Sequence, residues 1–229
     1  VVRLYNTSAY AAPALLTTIS KNTGAGLLTL SSLANNDNLG SAVALDAAGT
    51  ALAIGASGTN SSEGAVHLLN FGSNLYGSIT QQSIIGKNRT ATHDINVNLA
   101  AGEKFGASVA FNRTGTASRL AVGATGNQSD AGAVYLFGFP GSLLGAGELR
   151  GTLGKGFTVA AGDVTTAGNV NVAALRSTDG TYGTGDRFGS AVALNGTGDR
   201  LAVGAALDIG ADKAPVLVPT PHYGAVYLF

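Results

Sequence analysis

FGASVAFNRTGTASRLAVGA, running from Phe105 to Ala124, decides the fold because the chain writes it three times: it returns as LGSAVALDAAGTALAIGA from Leu39 to Ala56 and as FGSAVALNGTGDRLAVGA from Phe188 to Ala205. Each copy is followed by a second phrase, GAVHLL at Gly64, GAVYLF at Gly132 and GAVYLF at Gly224. A long period with variable insertions marks a repeat architecture, in which one supersecondary unit cannot bury its apolar face alone. The flanks repeat as well. Lys21-Asn22 and Lys87-Asn88 stand at matching places, Lys155 is the third copy, and Asp37, Glu103 and Asp186 each precede a Leu/Phe-Gly pair by two residues. VVRLY at Val1 reads like AVHLL and AVYLF, so Val2, Val66, Val134 and Val226 open the same strand, with spacings of 64, 68 and 92 residues. The chain is therefore expected to form one repeat region over 1–229, with units about 1–64, 65–132 and 133–224 and an extra strand at 225–229.

Within a unit, apolar residues alternate with small or polar ones over short runs bounded by turn residues, which is the β pattern. Strands are expected over Ser41 to Leu45, Ala51 to Ile54 and Ala65 to Asn70, with a variable fourth near Ser78 to Ile85 and counterparts in the other units. The turns Asp46-Ala47-Ala48-Gly49, Asn112-Arg113-Thr114-Gly115 and Asn195-Gly196-Thr197-Gly198 have hairpin chemistry: an Asp or Asn side chain caps the turn, and Gly takes a positive φ. No stretch has the period of an amphipathic helix. Four antiparallel strands per unit, with small residues on the inner ones, are what a propeller blade requires.

The order FG, SVA, LAVGA, GAVYLF resembles the FG-GAP repeat of integrin α-subunit propellers and of large secreted or surface-bound bacterial proteins. The resemblance implies an all-β, four-stranded blade repeat, a β-propeller or propeller-derived array of three full units plus a half-blade. It leaves function open, because propellers host binding, structural and enzymatic roles alike. The integrin-type calcium loop, Asp-x-Asp-x-Asp-Gly, is missing here. Asp46 alone, Asn112 alone, and Asn195 with a distant Asp199 supply too few hard oxygen ligands. No metal or other cofactor is expected.

With no Cys there is no disulfide framework and no thiolate site. The 13 basic and 13 acidic residues cancel and are scattered, which argues against nucleic acid and anionic membrane as partners. No apolar run is long enough to cross a bilayer. The absence of Met predicts a processed product or a window from a longer polypeptide. Few charges, 34 Gly and many Ser, Thr and Asn make a neutral polar coat, which points to an extracellular or cell-surface setting. Sequons occur at Asn6, Asn60, Asn88, Asn112, Asn127 and Asn195; Asn60, Asn88, Asn127 and Asn195 are the candidate N-glycosylation sites, against the plainer reading that Asn-rich turns produce sequons automatically.

Catalytic chemistry finds no constellation. His67, His93 and His222 occupy unrelated repeat positions, and His67 stands where the other copies have Tyr135 and Tyr227. Asp37, Glu103 and Asp186 have two readings: turn caps, or a carboxylate ring that collects a cation. The glycines Gly183 to Gly185 lack the following helix that a phosphate loop uses. The expected working surfaces are the insertions Thr158 to Thr184 and Leu207 to His222, the latter with an extended apolar run at Pro215, Leu217, Pro219 and Pro221 leading to Tyr223.

The repeat starts and stops in mid-unit, so exposed strand edges are expected to be completed by further repeats of a parent chain, by a second copy, or by head-to-tail polymerisation. The expected role is a non-catalytic structural or adhesive module that self-associates, a filament or surface-layer subunit being one form of it. Two alternatives stand beside it: a lectin-like propeller that binds glycans or other ligands, and a non-catalytic domain of a larger secreted hydrolase.

Overall fold

A computed structural model describes residues 1–6, 14–21, 28–71, 79–114, 117–140, 144–145, 147–158, 168–176, 185–209 and 223–229. The chain is predominantly β. It opens with β1 (Val2–Asn6), β2 (Ala14–Ser20) and β3 (Leu28–Thr29). The first full unit holds β4 (Leu39–Leu45), β5 (Ala51–Ala56), the short turn α1 (Thr59–Ser62), β6 (Ala65–Asn70), β7 (Thr80–Gly86) and β8 (Ile95–Asn96). The second repeats this order as β9 (Phe105–Thr114), β10 (Ala117–Ala124), α2 (Asn127–Asp130), β11 (Ala133–Pro140), β12 (Glu148–Gly154) and β13 (Val170–Asn171). β14 (Phe188–Leu194), β15 (Leu201–Ala205) and β16 (Ala225–Leu228) close the described chain.

The strands form four sheets, ordered β1-β2-β3, β4-β5-β6-β7-β8, β9-β10-β11-β12-β13 and β14-β15-β16. Their registers agree. Val2 faces Ile19, Val66 faces Ile85 and Val134 faces Leu153, and the bulge in this ladder falls at the same step each time, between Leu4 and Tyr5, Leu68 and Leu69, Leu136 and Phe137. Since a one-residue slip would turn every apolar side chain to the other face, the buried face that carries Val2, Val66 and Val134 holds the register.

Three details differ from the sequence expectation. Each complete sheet carries a fifth, two-residue strand that runs parallel to the fourth, β8 beside β7 and β13 beside β12. An Asx side chain fastens it: the Asp94 carboxylate accepts from the Ile84 amide at 2.7 Å, and the Asn169 carbonyl oxygen from the Thr152 amide at 2.8 Å. The hairpin of the second unit is also longer, so Asn112 lies inside β9 opposite Arg119 rather than at a turn corner. Its amide reaches across to the Asn195 and Gly196 carbonyls instead. The turns at Asp46 and Asn195 do cap as expected, with Asp46 Oδ1 accepting from the Thr50 and Ala51 amides and Asn195 Oδ1 from the Arg200 amide. Finally, α1 and α2 are single turns whose inner residues have positive φ: Asn60, Ser61 and Ser62 at 51°, 58° and 61°, and Gln128, Ser129 and Asp130 at 50°, 54° and 63°.

Apolar clusters lie between consecutive sheets. Val2, Leu4 and Ile19 meet Leu52, Ile54, Leu69 and Phe71 between the first two. Val66, Leu68 and Ile85 meet Val109, Phe111, Leu120 and Phe137 between the second and third. Ala121, Val134 and Leu153 meet Phe188, Leu201 and Val203 between the third and fourth. Burying a side chain of this size stabilises by about 1.5–3 kcal/mol, so the sheets are held together mainly by these layers.

Candidate functional site

The surface that recurs in every unit is the seam where the acid-x-Phe/Leu-Gly turn of one sheet meets the sheet before it. Its backbone alternates in hand: Asn36, Asn38 and Gly40 have φ of 69°, 55° and 92°, Gly102, Lys104 and Gly106 have 82°, 57° and 88°, and Arg187 and Gly189 have 53° and 84°. Left-handed non-glycine residues cost energy and persist where the surroundings over-determine them. Here the surroundings are the left-handed turns α1 and α2. The Ser61, Ser62 and Glu63 carbonyls accept from the Gly102, Lys104 and Phe105 amides, and the Asp130 and Ala131 carbonyls from those of Arg187 and Phe188.

The inner strands interlock at one atom pair. Ser41 Oγ donates to the Gly106 carbonyl at 2.9 Å, and Ser108 Oγ to the Gly189 carbonyl at 2.7 Å. Beside these bonds lie Gly55 and Gly123, where an added Cβ would sit 2.0 Å from the same carbonyl oxygens. Only glycine fits. The Phe of each turn then packs edge-on to aromatic rings of its own sheet, Phe105 on Tyr135 and Phe137 at 5.3 and 6.1 Å, Phe188 on Tyr227 and Phe229 at 5.3 and 6.2 Å.

The repeated carboxylates are turned into this framework. The Asp37, Glu103 and Asp186 carbonyls accept from the Gly58, Gly126 and Leu207 amides. Asp37 Oδ2 accepts from the Ala34 amide at 2.7 Å. Glu103 Oε2 accepts from the Tyr135 hydroxyl, which takes a bond from the Asn127 amide. Asp186 Oδ2 accepts from the Arg176 amide at 2.7 Å, and the Arg176 guanidinium stands 2.6 Å from Oδ1. Burial raises the Asp186 carboxyl above its usual range, with the Arg176 amide and guanidinium pulling the other way. Asp37 and Asp186 thus hold backbone amides, whereas Glu103 holds a tyrosine hydroxyl. Among the described residues no three His, Cys, Asp or Glu side chains form a group that could hold a metal ion.

At the position of Tyr135 and Tyr227 the first unit has His67, which is buried and held near the usual hydrogen-bond limit at 3.4 Å from Gln81 Oε1 through Nδ1. Burial lowers its pKa to about 4, so the ring is neutral at pH 7. Tyr135 and Tyr227 are pushed upward, first by burial and then by Glu103 and Asp208 respectively; the Tyr227 hydroxyl donates to Asp208 Oδ2 at 2.6 Å. These hydroxyls and carboxylates satisfy one another.

The candidate glycosylation residues separate by exposure. Asn60 and Asn88 are exposed, the former with its amide on Glu63, a carboxylate that also pairs with Lys87 at 2.6 Å. Asn127 is buried at 4 % exposure with its amide on the Tyr135 hydroxyl, and Asn195 gives its amide to Thr197 and Asp199. His93 lies on the loop between β7 and β8, its ring beside Gly145 of the next unit. Of the expected interaction loop, Tyr223 is 74 % exposed, while Pro215, Leu217, Pro219 and Pro221, like His222, lie outside the described residues.

A groove of about 710 Å³ runs between the third and fourth sheets, with Leu120, Phe137, Phe139 and Phe229 among its walls and Arg119, Arg150 and Arg200 around it. Such walls suit an apolar side chain better than a proton-transfer step. The left-handed turns escaped the sequence reading, although a signal was present: GTNSSEG and GNQSDAG share their Gly-x-x-Ser-x-x-Gly spacing. No protein-family model matches the chain, and no curated protein matches it at a significant level.

Proposed function

We propose that this chain is an extracellular structural or adhesive module made of FG-GAP-like propeller blades, whose loops and sheet faces bind protein and which carries no catalytic centre. One observation supports this most: the Ser-to-Gly seam is built twice with the same atoms, Ser41 to Gly106 and Ser108 to Gly189. A unit that docks identically on its predecessor is a stacking element, and stacked units present variable loops from a rigid frame. The repeated polar side chains favour a frame over an enzyme, since Glu103, Asp186, Tyr135 and Tyr227 are spent on one another and on backbone amides. The neutral, weakly charged surface fits an exposed matrix or surface role.

The test uses cells that make the protein. A membrane-impermeant amine reagent applied to intact cells is expected to label the exposed Lys21. Labelling that appears only after lysis would overturn the extracellular reading.

A further inference from the structure

We infer that Asn88 carries an N-linked oligosaccharide, and that it alone has a free amide among the sequon asparagines whose side chains are described. This rests on the extracellular reading above, since an acceptor sequon is used on the surface of exported protein.

In sequence the candidates are alike. Asn88-Arg89-Thr90 and Asn112-Arg113-Thr114 are the same tripeptide. The fold separates them by what becomes of the side-chain amide, whose nitrogen bonds to the sugar and must reach solvent with room for a bulky group. Asn112 lies inside β9 with its amide on the Asn195 and Gly196 carbonyls at 3.0 and 2.8 Å. Asn60 gives its amide to the buried Glu63, Asn127 is itself buried with its amide on the Tyr135 hydroxyl, and Asn195 gives its own to Thr197 and Asp199. Asn88 is exposed, and among the described residues its amide has no hydrogen-bond partner. Thr90, also exposed, supplies the hydroxyl that the acceptor tripeptide requires.

The turn that presents Asn88 is fastened on both sides. Asn88 has a φ of 55°, a left-handed corner that asparagine tolerates better than most residues. Before it, the Gly86 carbonyl accepts from the Val97 amide at 2.9 Å, and Lys87 is turned to Glu63 at 2.6 Å. After it, the Asp94 amide donates to the Ala91 carbonyl at 2.9 Å while its carboxylate holds the Ile84 amide. The second unit measures the space outside this corner: Gly156 holds the same place with a φ of 78°, and a Cβ there would meet nothing within 4 Å. The corner joins β7 to β8 in the second sheet, which has another sheet packed against it on each side.

In the transfer, a bond forms between Asn88 Nδ2 and the anomeric carbon of the first sugar of a lipid-linked oligosaccharide. The bond from that carbon to the lipid phosphate oxygen breaks, the phosphate keeps the electron pair, and one amide proton passes to the transferase.

The test takes the protein from the cells that make it and cuts it with a glutamate-specific protease. Glu63, Glu103 and Glu148 are the only glutamates, so fragment 64–103 contains Asn88 as its one sequon and fragment 104–148 contains Asn112 and Asn127. Mass spectrometry is expected to find 64–103 heavier by a series of sugar residues and 104–148 at its unmodified mass. Asn88→Asp and Thr90→Ala, made in the same cells, are each expected to return 64–103 to the mass of the bare peptide, with unchanged far-UV circular dichroism because both side chains are exposed. A bare 64–103 fragment from the wild type, sugar that survives Asn88→Asp, or sugar on 104–148 overturns the inference. A bare fragment from a protein whose Lys21 labels on intact cells removes the glycan and keeps the extracellular reading; labelling only after lysis removes that reading whatever the fragment weighs.

Discussion

Ser108 Oγ donates a 2.7 Å hydrogen bond to the carbonyl of Gly189, 81 residues away in the sequence, and this single bond ties the inner strand of one sheet to the turn that begins the next. Ser108 is 8 % exposed, so the bond is shielded from water. Ser41 makes the same bond to Gly106, but Ser41 is exposed.

Ser108→Ala is therefore expected to cost about 1–2 kcal/mol, since it leaves a shielded carbonyl without its donor. That corresponds to a melting shift of roughly 2–8 °C for a chain of this size. Ser41→Ala should cost less than half as much, because water can replace the lost donor. Thermal unfolding of the two variants side by side checks the order; equal shifts would mean that the seam bond contributes nothing specific.

Gly123→Ala places a Cβ 2.0 Å from the Gly189 carbonyl oxygen and 2.3 Å from Ser108 Oγ, so two sheets must separate to admit it. The expected loss is at least about 3 kcal/mol, beyond the usual cost of overpacking. Gly196→Ala meets nothing within 4 Å and should be neutral within about 0.5 kcal/mol. Urea midpoints distinguish the two.

Arg176→Met removes the guanidinium that faces the buried Asp186 at 2.6 Å. Asp186 is 1 % exposed, so the loss is expected to be about 3–5 kcal/mol at pH 7, the cost of stranding a buried charge. The double variant Arg176→Met with Asp186→Asn should recover part of it. A double variant no more stable than the single one would show that charge is not the cause.

His67 gives a pH dependence with a definite sign. Its folded pKa of about 4 lies below the unfolded value of 6.5 because burial disfavours the charged ring. Between these values the unfolded chain binds more protons, so the stabilisation is complete above pH 6.5 and is lost as pH falls toward 4. The window corresponds to at most about 3 kcal/mol. Asp186 acts oppositely, its raised folded pKa favouring the folded state as pH falls. The difference between wild type and His67→Tyr, the residue of the other units, isolates the histidine. Parallel stability profiles from pH 4 to 7 would contradict its assignment.

The sequence by itself determined the β class, the repeat and its phase, and the caps at Asp46 and Asn195, because these depend on alternation and turn chemistry within a few residues. It also marked Asp37, Glu103 and Asp186 as special without saying how. Only the tertiary structure decided that they hold backbone amides, Tyr135 and Arg176, that Asn112 leaves its turn to bridge two sheets, and that Asn60 to Ser62 coil to the left. The physical reason is range. The thrice-written phrase specifies strands locally, but the partners of its serines lie 65 and 81 residues onward and become neighbours only when apolar faces stack. Gly55 and Gly123 read like any strand glycine in sequence; only the fold shows that each lies against a carbonyl of the next sheet.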